Sequence, residues 1–183
     1  MQVIIQVELS VEQYVEQQFH KRVRPPKQCG NCGQFGTLSL LAYYDRYTTD
    51  ATGAAIQFWV ARFICEACKL TTSCLPSFAQ PYRLVASETI EAFIEDDTGR
   101  LDVRRNEGLL KCYFRRFDQW HKTLRSIVGN RFGRGPPQEN ATAFLRRAVA
   151  ACGSLAELTL RLVQEFKTTC FGTYGCHQPS YPH

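Results

Sequence analysis

The sequence predicts an α+β protein in which a four-cysteine zinc ribbon precedes a small, helix-turn-helix-like helical bundle. Three observations support this fold class. Two C-x2-C pairs flank a segment with hairpin character, the second half of the chain has helical periodicity, and positive charge is concentrated in one window. A length of 183 residues with 44% hydrophobic content is typical of one ordinary domain or two small ones.

The composition also excludes classes of protein. No apolar run approaches the ~18 residues that a membrane span needs. The first residues, Met1–Glu8, lack the cationic start of a signal peptide. We therefore expect a cytoplasmic protein without a membrane partner, in which paired cysteines indicate a metal more often than a disulfide.

Residues 1–24 are predicted to form an N-terminal strand and helix. Apolar and polar residues alternate partly along Gln2–Glu8, which predicts the strand. Ser10 and Gln13 form a capping box before a short amphipathic helix. A basic, proline-containing linker, residues 21–27, then leads to the first cysteine pair.

Residues 25–82 are predicted to form the zinc ribbon. Cys29 with Cys32 and Cys65 with Cys68 have the spacing that lets two thiolates reach one ion. Strand-like segments at 38–47 and 55–64, separated by a turn at Thr52-Gly53, would bring the second pair beside the first. Four cysteine ligands leave no site for water, so one structural Zn²⁺ is expected.

Two alternatives apply to these cysteines: two unrelated pairs, or a redox C-x2-C motif. Cys74 lies close enough in sequence to replace a ligand, although a small buried side chain is the simpler interpretation. Cys170, Cys176 and His177 in the tail lack a fourth ligand for a second metal, so we assign them no role.

The rest of the chain is predicted to be helical. After a proline-rich connector at 75–82, helices are expected at 87–96 and 107–128 within a basic region, 83–135. A C-terminal region, 136–183, should contain a pair of helices beginning near Asn140 and Ser154, followed by a tail.

The positive charge lies in residues 100–147, which hold 12 Lys and Arg against 4 Asp and Glu. Such a concentration is typical of a protein that contacts phosphate backbones, although a solvated basic surface is the simpler alternative. Lys111, Arg115 and Lys122 would share one helix face. The candidate DNA contacts are Arg104, Arg105, Lys111, Arg115, Arg116, Gln119, Lys122, Arg125, Arg131 and Arg134.

Four sequence segments carry a resemblance to a known family: residues 29–33, residues 62–69, residues 75–83 with Leu-Pro-Ser-Phe and Pro-Tyr-Arg, and Arg115-Arg116-Phe117. They resemble a bacterial transposon-associated family, similar in plan to the N-terminal part of insertion-sequence transposases. The resemblance covers roughly residues 25–125. It implies zinc at the four cysteines and DNA binding by the helices that follow.

A helix-turn-helix needs a positioning helix, a turn and a recognition helix. Residues 96–106 offer little room for the first two if the recognition helix is 107–128, so a compressed turn is expected. We expect a non-catalytic protein, because no carboxylate cluster or nucleophile motif has the context of an active site.

Two functions from different classes follow. The first is a DNA-binding accessory or regulatory protein of a mobile element. The second is a protein-interaction module that docks on a transposase or another nucleoprotein through the ribbon. RNA or single-stranded DNA is a variant of the first, because the hairpin aromatics could stack on bases, although at least half should pack in the core. These aromatics are Tyr43, Tyr44, Tyr47, Phe58, Trp59 and Phe63.

Overall fold

A computed structural model describes residues 1–173 of the chain. It is an α+β structure with a four-stranded sheet, a two-stranded hairpin and five α-helices in this region. The elements in order are β1 (Gln2–Ile5), α1 (Val11–Glu16), a 3-10 turn (Phe19–Arg22), β2 (Leu38–Thr49), β3 (Ala55–Cys65), β4 (Thr71–Pro76), α2 (Ser87–Ile94), α3 (Leu101–Val128), α4 (Ala141–Cys152), α5 (Leu155–Phe166), β5 (Thr168–Thr169) and β6 (Gly172–Thr173).

The predicted hairpin is present and forms one edge of the main sheet. β2 and β3 pair antiparallel from Leu38 opposite Cys65 to Thr49 opposite Ala55, with a bulge between Leu40 and Ala42. The Asp50 carboxylate closes the turn by accepting hydrogen bonds from the N–H groups of Thr52 and Ala54. The strand order is β1-β4-β3-β2, so β2 is an edge strand.

The strand β4 was not predicted, and it changes the place of the N-terminal segment. β4 pairs antiparallel with β3 and parallel with β1, where Ile4 lies opposite Leu75. The sequence-based interpretation placed 75–82 in a connector because of its prolines. Pro76 ends the strand, however, and lies at its last position, where a missing N–H is tolerated.

The sheet buries side chains on both faces. Along β3, Phe58 and Val60 belong to one apolar cluster, which also contains Tyr14 of α1 and Val163 of α5. Phe63 and Cys65 belong to a second cluster near the cysteine pairs. The sheet therefore connects the helical part of the molecule with the candidate metal centre.

The helices form a separate core. Its buried side chains come from α2, α3, α4 and α5 and include Phe117, Leu124, Phe144 and Leu158. Phe117 stacks on Phe144 with ring centroids 6.3 Å apart. The predicted helix caps are confirmed at Ser10, Asn140 and Ser154, whose side chains accept hydrogen bonds from the backbone three residues later.

Helix α3 begins at Leu101, six residues before the predicted start at Glu107. The earlier start has a physical cause, because Asp102 is buried and accepts hydrogen bonds from Thr89 and Arg100. Val103, also buried, packs in the helical core. Residues 95–100 therefore form the whole connection between α2 and α3.

Within residues 1–173, no helix combines the length and apolar character needed to cross a bilayer. The predicted tail group lies partly outside this region, because Cys176 and His177 are not among the described residues. Cys170 is fully buried in the helical core.

Candidate metal centre and basic helix face

Each C-x2-C pair lies in a tight backbone turn. In the first, the Cys29 N–H donates to the Gln34 carbonyl and the Gly33 N–H donates back to the Cys29 carbonyl, both at 2.9 Å. In the second, the Cys65 N–H donates to the Leu70 carbonyl at 3.0 Å, and the Lys69 N–H donates to the Cys65 carbonyl at 2.8 Å. The two turns have the same hydrogen-bond pattern, which directs both thiols of each pair toward one point.

The sheet brings these two turns together. The four Sγ atoms of Cys29, Cys32, Cys65 and Cys68 all lie within 4.8 Å of one another. The Sγ atoms of Cys29 and Cys68 are 3.8 Å apart, and those of Cys32 and Cys65 are 3.7 Å apart. The predicted set of four cysteines is therefore one cluster, contributed equally by the two pairs.

These separations fit a tetrahedral metal ion. A metal–sulfur bond of about 2.3 Å requires neighbouring thiolates about 3.8 Å apart in a regular tetrahedron. A disulfide would instead need sulfur atoms about 2.05 Å apart. The cluster has the spacing for an ion at its centre and not for covalent pairing of its cysteines.

Polar groups surround the cluster, and at Cys65 they favour the thiolate form that binds metals. The Thr37 hydroxyl lies 3.1 Å from the Cys65 Sγ. Together with the backbone N–H groups of Cys68 and Ala67, it lowers the pKa of the Cys65 thiol to about 6. Asn31 donates from Nδ2 to the Cys68 Sγ at 3.6 Å. Sequence reasoning missed Thr37, because a lone threonine between a turn and a strand carries no motif.

Cys74 is not part of the cluster. It is fully buried in β4, and burial raises the pKa of its thiol to about 12. A thiol held protonated among apolar neighbours is a poor metal ligand. Among the described residues, the four predicted cysteines are the only group with the proximity needed to hold a metal.

The tip of the β2–β3 hairpin is attached to the first turns of α3. Asn106 donates from Nδ2 to the Gly53 carbonyl at 3.1 Å, and Arg105 donates to the Thr52 carbonyl at the same distance. The hairpin that carries one cysteine pair at its base therefore also contacts the basic helix at its tip. Arg105, a candidate DNA contact, has a structural partner at this junction.

Four basic residues lie along the exposed side of α3. Arg104, Lys111, Arg115 and Lys122 are all exposed. Their spacing of seven, four and seven residues places them within about 40° of one another around the helix, over about 27 Å of its axis. The opposite side, with Leu110, packs in the core. The apolar and basic faces of this helix are thus separated.

Some candidate contacts, including Lys111 of the stripe, have partners within the protein. Lys111 pairs with Glu107 at 2.7 Å, and Arg131 pairs with Glu165 at 2.7 Å. Arg125 donates to the carbonyls of Pro136 and Pro137. The partners of the two arginines could not be predicted, because Glu165 and Pro136 are distant in sequence from them, whereas Glu107 lies one helical turn from Lys111.

The remaining candidates are open to solvent. Arg116, Gln119 and Arg134 are exposed, as are the residues of the α3 stripe. The loop that carries Arg134 is held in place, because Arg147 donates to the carbonyls of Phe132 and Gly133. Phe132 itself is buried.

About a third of the hairpin aromatics are open to solvent. Phe58 and Phe63 are buried, and Tyr43 and Tyr44 are half-buried. Tyr47 and Trp59 are 48% and 44% exposed. His20, next to Tyr43 and Trp59, and His121 in α3 are both buried.

Comparison with known proteins finds a partial match to a family model. Residues 29–117, just under half of the chain, match the family model described as a domain of unknown function, DUF6431. The matched stretch begins at the first cysteine of the cluster and ends within α3. No curated protein and no solved structure matches the chain.

Proposed function

We propose that this protein is a zinc-stabilised, non-catalytic DNA-binding protein that serves a mobile genetic element as an accessory or regulatory factor. In this proposal the zinc ribbon positions α3, and α3 contacts DNA. The observation that carries the proposal is the basic stripe of Arg104, Lys111, Arg115 and Lys122 on a helix whose opposite face is fully packed.

Zinc is the ion that best fits the cysteine cluster. Four thiolates in a tetrahedral arrangement favour Zn²⁺ over hard ions such as Mg²⁺ and Ca²⁺, which prefer oxygen ligands. Zn²⁺ has no redox chemistry, and four sulfur ligands leave no position for water. The ion would therefore stabilise the fold and would not take part in catalysis.

The length and charge of α3 support DNA as the partner. A helix fits the major groove of B-DNA, which is about 12 Å wide. Lysine and arginine side chains spaced over about 27 Å can reach several phosphates, since DNA carries one charge per ~1.7 Å of helix axis. The α2–turn–α3 segment has the element order of a helix-turn-helix, and in this proposal α3 acts as the recognition helix.

The role in a mobile element rests on the sequence motifs. The resemblance to a transposon-associated family is carried by the two C-x2-C pairs, the Leu-Pro-Ser-Phe segment and Arg115-Arg116-Phe117. The stretch that matches a family model, residues 29–117, contains all of these motifs.

Fluorescence anisotropy with labelled duplex DNA over a salt series tests the proposal. We expect the affinity to fall steeply as salt rises, because each DNA phosphate that the protein neutralises contributes about −0.9 to the slope of log affinity against log salt concentration. The triple variant Lys111→Ala, Arg115→Ala and Lys122→Ala should weaken binding at least ~10-fold and reduce that slope.

The chain offers a matched control for this variant. The control replaces three exposed residues outside α3, Lys21, Arg24 and Lys27, with alanine. Like the α3 variant, it removes two lysines and one arginine. If both triple variants weaken DNA binding equally, the loss of affinity reflects net charge, and the proposal that α3 contacts DNA is wrong. Absence of any binding to duplex DNA at low salt would refute the DNA-binding function itself.

One observation favours the second candidate function, docking on a protein partner. Phe35, Leu40 and Leu41 are 71%, 50% and 50% exposed, next to the cysteine cluster and along the edge strand β2. An exposed apolar edge is suited to pairing with another chain. Replacing Leu40 and Leu41 with lysine should abolish binding to a transposase in a pull-down and leave DNA binding intact, if this candidate is correct.

Binding to single-stranded DNA or RNA would use different residues from duplex binding, so the same anisotropy assay can distinguish the two. Tyr47 and Trp59 are the most exposed aromatic side chains of the hairpin strands. Stacking on bases contributes about 1–3 kcal/mol per base. Trp59→Ala would therefore weaken single-stranded DNA or RNA binding about 5-fold or more, and would leave duplex affinity unchanged.

A further inference from the structure

Two arginine side chains, Arg46 of β2 and Arg83 of the segment between β4 and α2, lie together at the edge of the main sheet. Arg46 donates from Nη2 to the carbonyl oxygens of Gln80 and Arg83, at 3.5 and 3.2 Å. Both arginines are half-buried. Among the described residues, neither guanidinium forms an ion pair with an aspartate or glutamate. Two positive charges therefore share this region without an acid to balance them.

Each guanidinium also has a buried nitrogen without an acceptor. Within residues 1–173, Arg46 Nη1 and Arg83 Nε are enclosed by protein and form no hydrogen bond. The hydroxyl of Thr48, two residues along the same side of β2, is likewise buried and has no partner there. Buried polar atoms are nearly always satisfied in folded proteins, and buried charges are nearly always paired. A water molecule supplies an acceptor but no negative charge, so an anion suits this region better.

Contacts on several sides hold the Arg83 side chain in place. Its Cζ lies 5.1 Å from the centroid of the Tyr113 ring and 5.4 Å from that of the Phe171 ring. Nη1 donates to the Tyr82 carbonyl at 2.8 Å, and Nη2 donates to the Phe171 carbonyl at 3.0 Å. The guanidinium therefore has little conformational freedom left to lose when a ligand binds.

A third arginine lies next to this pair on α3. Arg116 follows Tyr113 by three residues, which places it one turn later on the neighbouring surface of the helix, and it is exposed. Burial lowers the pKa of the Arg83 guanidinium, and repulsion by the Arg116 charge also lowers it. Arginine nevertheless stays protonated in proteins at neutral pH. Three cations that gather without an acid favour a ligand of opposite charge.

The chain that flanks Arg83 lies at the surface of the protein. Tyr82 and Leu84, on either side of it, are 51% and 54% exposed. Tyr82 also has a φ of +58°, a conformation that residues other than glycine rarely adopt. A shift of this short segment would give a ligand access to the buried nitrogens without opening the apolar core.

We propose that Arg46, Arg83 and Arg116 bind one phosphate group. The three side chains come from separate elements, namely β2, the segment before α2, and α3. The tetrahedral oxygens of a phosphate can accept hydrogen bonds from all three, whereas the planar carboxylate group suits a single arginine fork. The site rests on the proposed DNA-binding function only for the source of the phosphate, which we take to be one phosphodiester beside α3.

NMR titration of the full chain with inorganic phosphate tests the site directly, because arginine Nε–H groups give signals of their own. We expect saturable shifts of the Arg46 and Arg83 signals, which sodium chloride and sodium acetate at equal ionic strength do not reproduce. Arg116→Gln removes an exposed charge and should weaken phosphate binding about 3-fold or more. Arg24→Gln removes an exposed arginine outside the site and is the charge-matched control, with an affinity close to that of the unmodified protein.

Arg83→Lys provides a second variant whose fold is checked by circular dichroism. It keeps the positive charge but removes the Nε donor and the planar fork, so the Arg46 signal should report phosphate binding weakened about 3-fold or more. Shifts that do not saturate, equal shifts with acetate, or equal weakening by Arg116→Gln and Arg24→Gln overturn the proposal.

A parallel titration with duplex DNA separates the two proposals. DNA binding without saturable phosphate shifts refutes the arginine site and leaves the proposed function standing. Phosphate shifts at the arginines without DNA binding identify a site for a free phosphate compound and refute the nucleic-acid source. Competition between phosphate and DNA for the same Nε–H signals is the result expected if both proposals are correct.

Discussion

Asn106 donates a 3.1 Å hydrogen bond to the carbonyl oxygen of Gly53, which joins the second turn of α3 to the tip of the β2–β3 hairpin. The backbone of α3 also lies close to Gly53. A β-carbon added at position 53 would lie only 2.6 Å from the Asp102 Cα. The orientation of the basic helix relative to the sheet therefore depends on a residue without a side chain.

We predict that Gly53→Ala destabilises the protein by about 2–4 kcal/mol. Gly53 has a φ of +80°, and the added methyl group would also collide with the α3 backbone. Urea unfolding followed by circular dichroism measures the free energy of unfolding. Gly36→Ala is the control, because Gly36 has a φ of +66° but no neighbouring atom within 4 Å. Equal losses of stability in the two variants would show that the close contact between Gly53 and α3 contributes nothing to the effect.

Gly108 gives the opposite prediction. It lies in the interior of α3 on the exposed side, and an added β-carbon would meet no atom within 4 Å. Gly108→Ala should therefore stabilise the protein by about 0.5–1 kcal/mol, because alanine loses less conformational entropy in a helix. The same unfolding assay measures this gain. A lower DNA affinity in this more stable variant would indicate that the partner approaches the helix backbone at Gly108, whereas a loss of stability would contradict the open environment seen at this position.

The cysteine cluster predicts one equivalent of zinc per chain. Cys32→Ser should lower the bound zinc, measured by mass spectrometry of the purified protein, and should lower the melting temperature, because three thiolates no longer close the site. Cys32 is the exposed member of the cluster, so this change removes a ligand with little loss of packing. Cys112→Ser, at a cysteine outside the cluster, should leave the zinc content unchanged. Less than about half an equivalent of zinc in protein never exposed to a chelator would contradict the site.

The buried pair of Glu139 and Arg147 predicts a loss of stability in acid. The Arg147 guanidinium, bound through two hydrogen bonds, lowers the pKa of Glu139 below its ordinary value. The folded state therefore gains stability from this pair above the ordinary glutamate pKa of about 4.3, and loses it as the pH falls through the lower value in the folded protein. Glu139→Gln should be less stable at neutral pH by about 1–3 kcal/mol and should have a shallower decline in acid. Unfolding curves at pH 7 and at several points below pH 5 measure both effects. If the loss of stability in acid is unchanged in Glu139→Gln, other carboxylates cause it.

The local features of this protein were predictable from its sequence. Cap residues such as Ser154 and turn residues such as Gly53 determine backbone geometry within a few positions, and their signals are specific. The spacing of Cys29 with Cys32 and of Cys65 with Cys68 predicted the cluster, because two short turns at the base of one hairpin necessarily meet.

Features that depend on distant contacts were not predictable. β4 is short, and one of its two partner strands is β1, about 70 residues earlier in the chain. The first turns of α3 are polar in sequence, and tertiary contacts explain the helix there: Asp102 is buried against Thr89 and Arg100, and Val103 packs in the helical core. The partners of Arg125 and Arg131 are likewise set by tertiary structure. A count of positive charges thus overstated how many of them are free to meet a partner.

The parallel pairing of β1 with β4 also imposes an order on folding during synthesis. The β2–β3 hairpin needs only its own residues, whereas Gln2 pairs with Ser73 and β1 packs against α5. At a translation rate of about 5–20 residues per second, β1 waits roughly 4–14 s for β4 and about twice as long for α5. During that interval the first strand has neither its hydrogen-bonding partner nor its covering helix. The nascent chain therefore carries an unprotected apolar strand during that interval, and its early solubility depends on how quickly the ribosome delivers the residues that cover it.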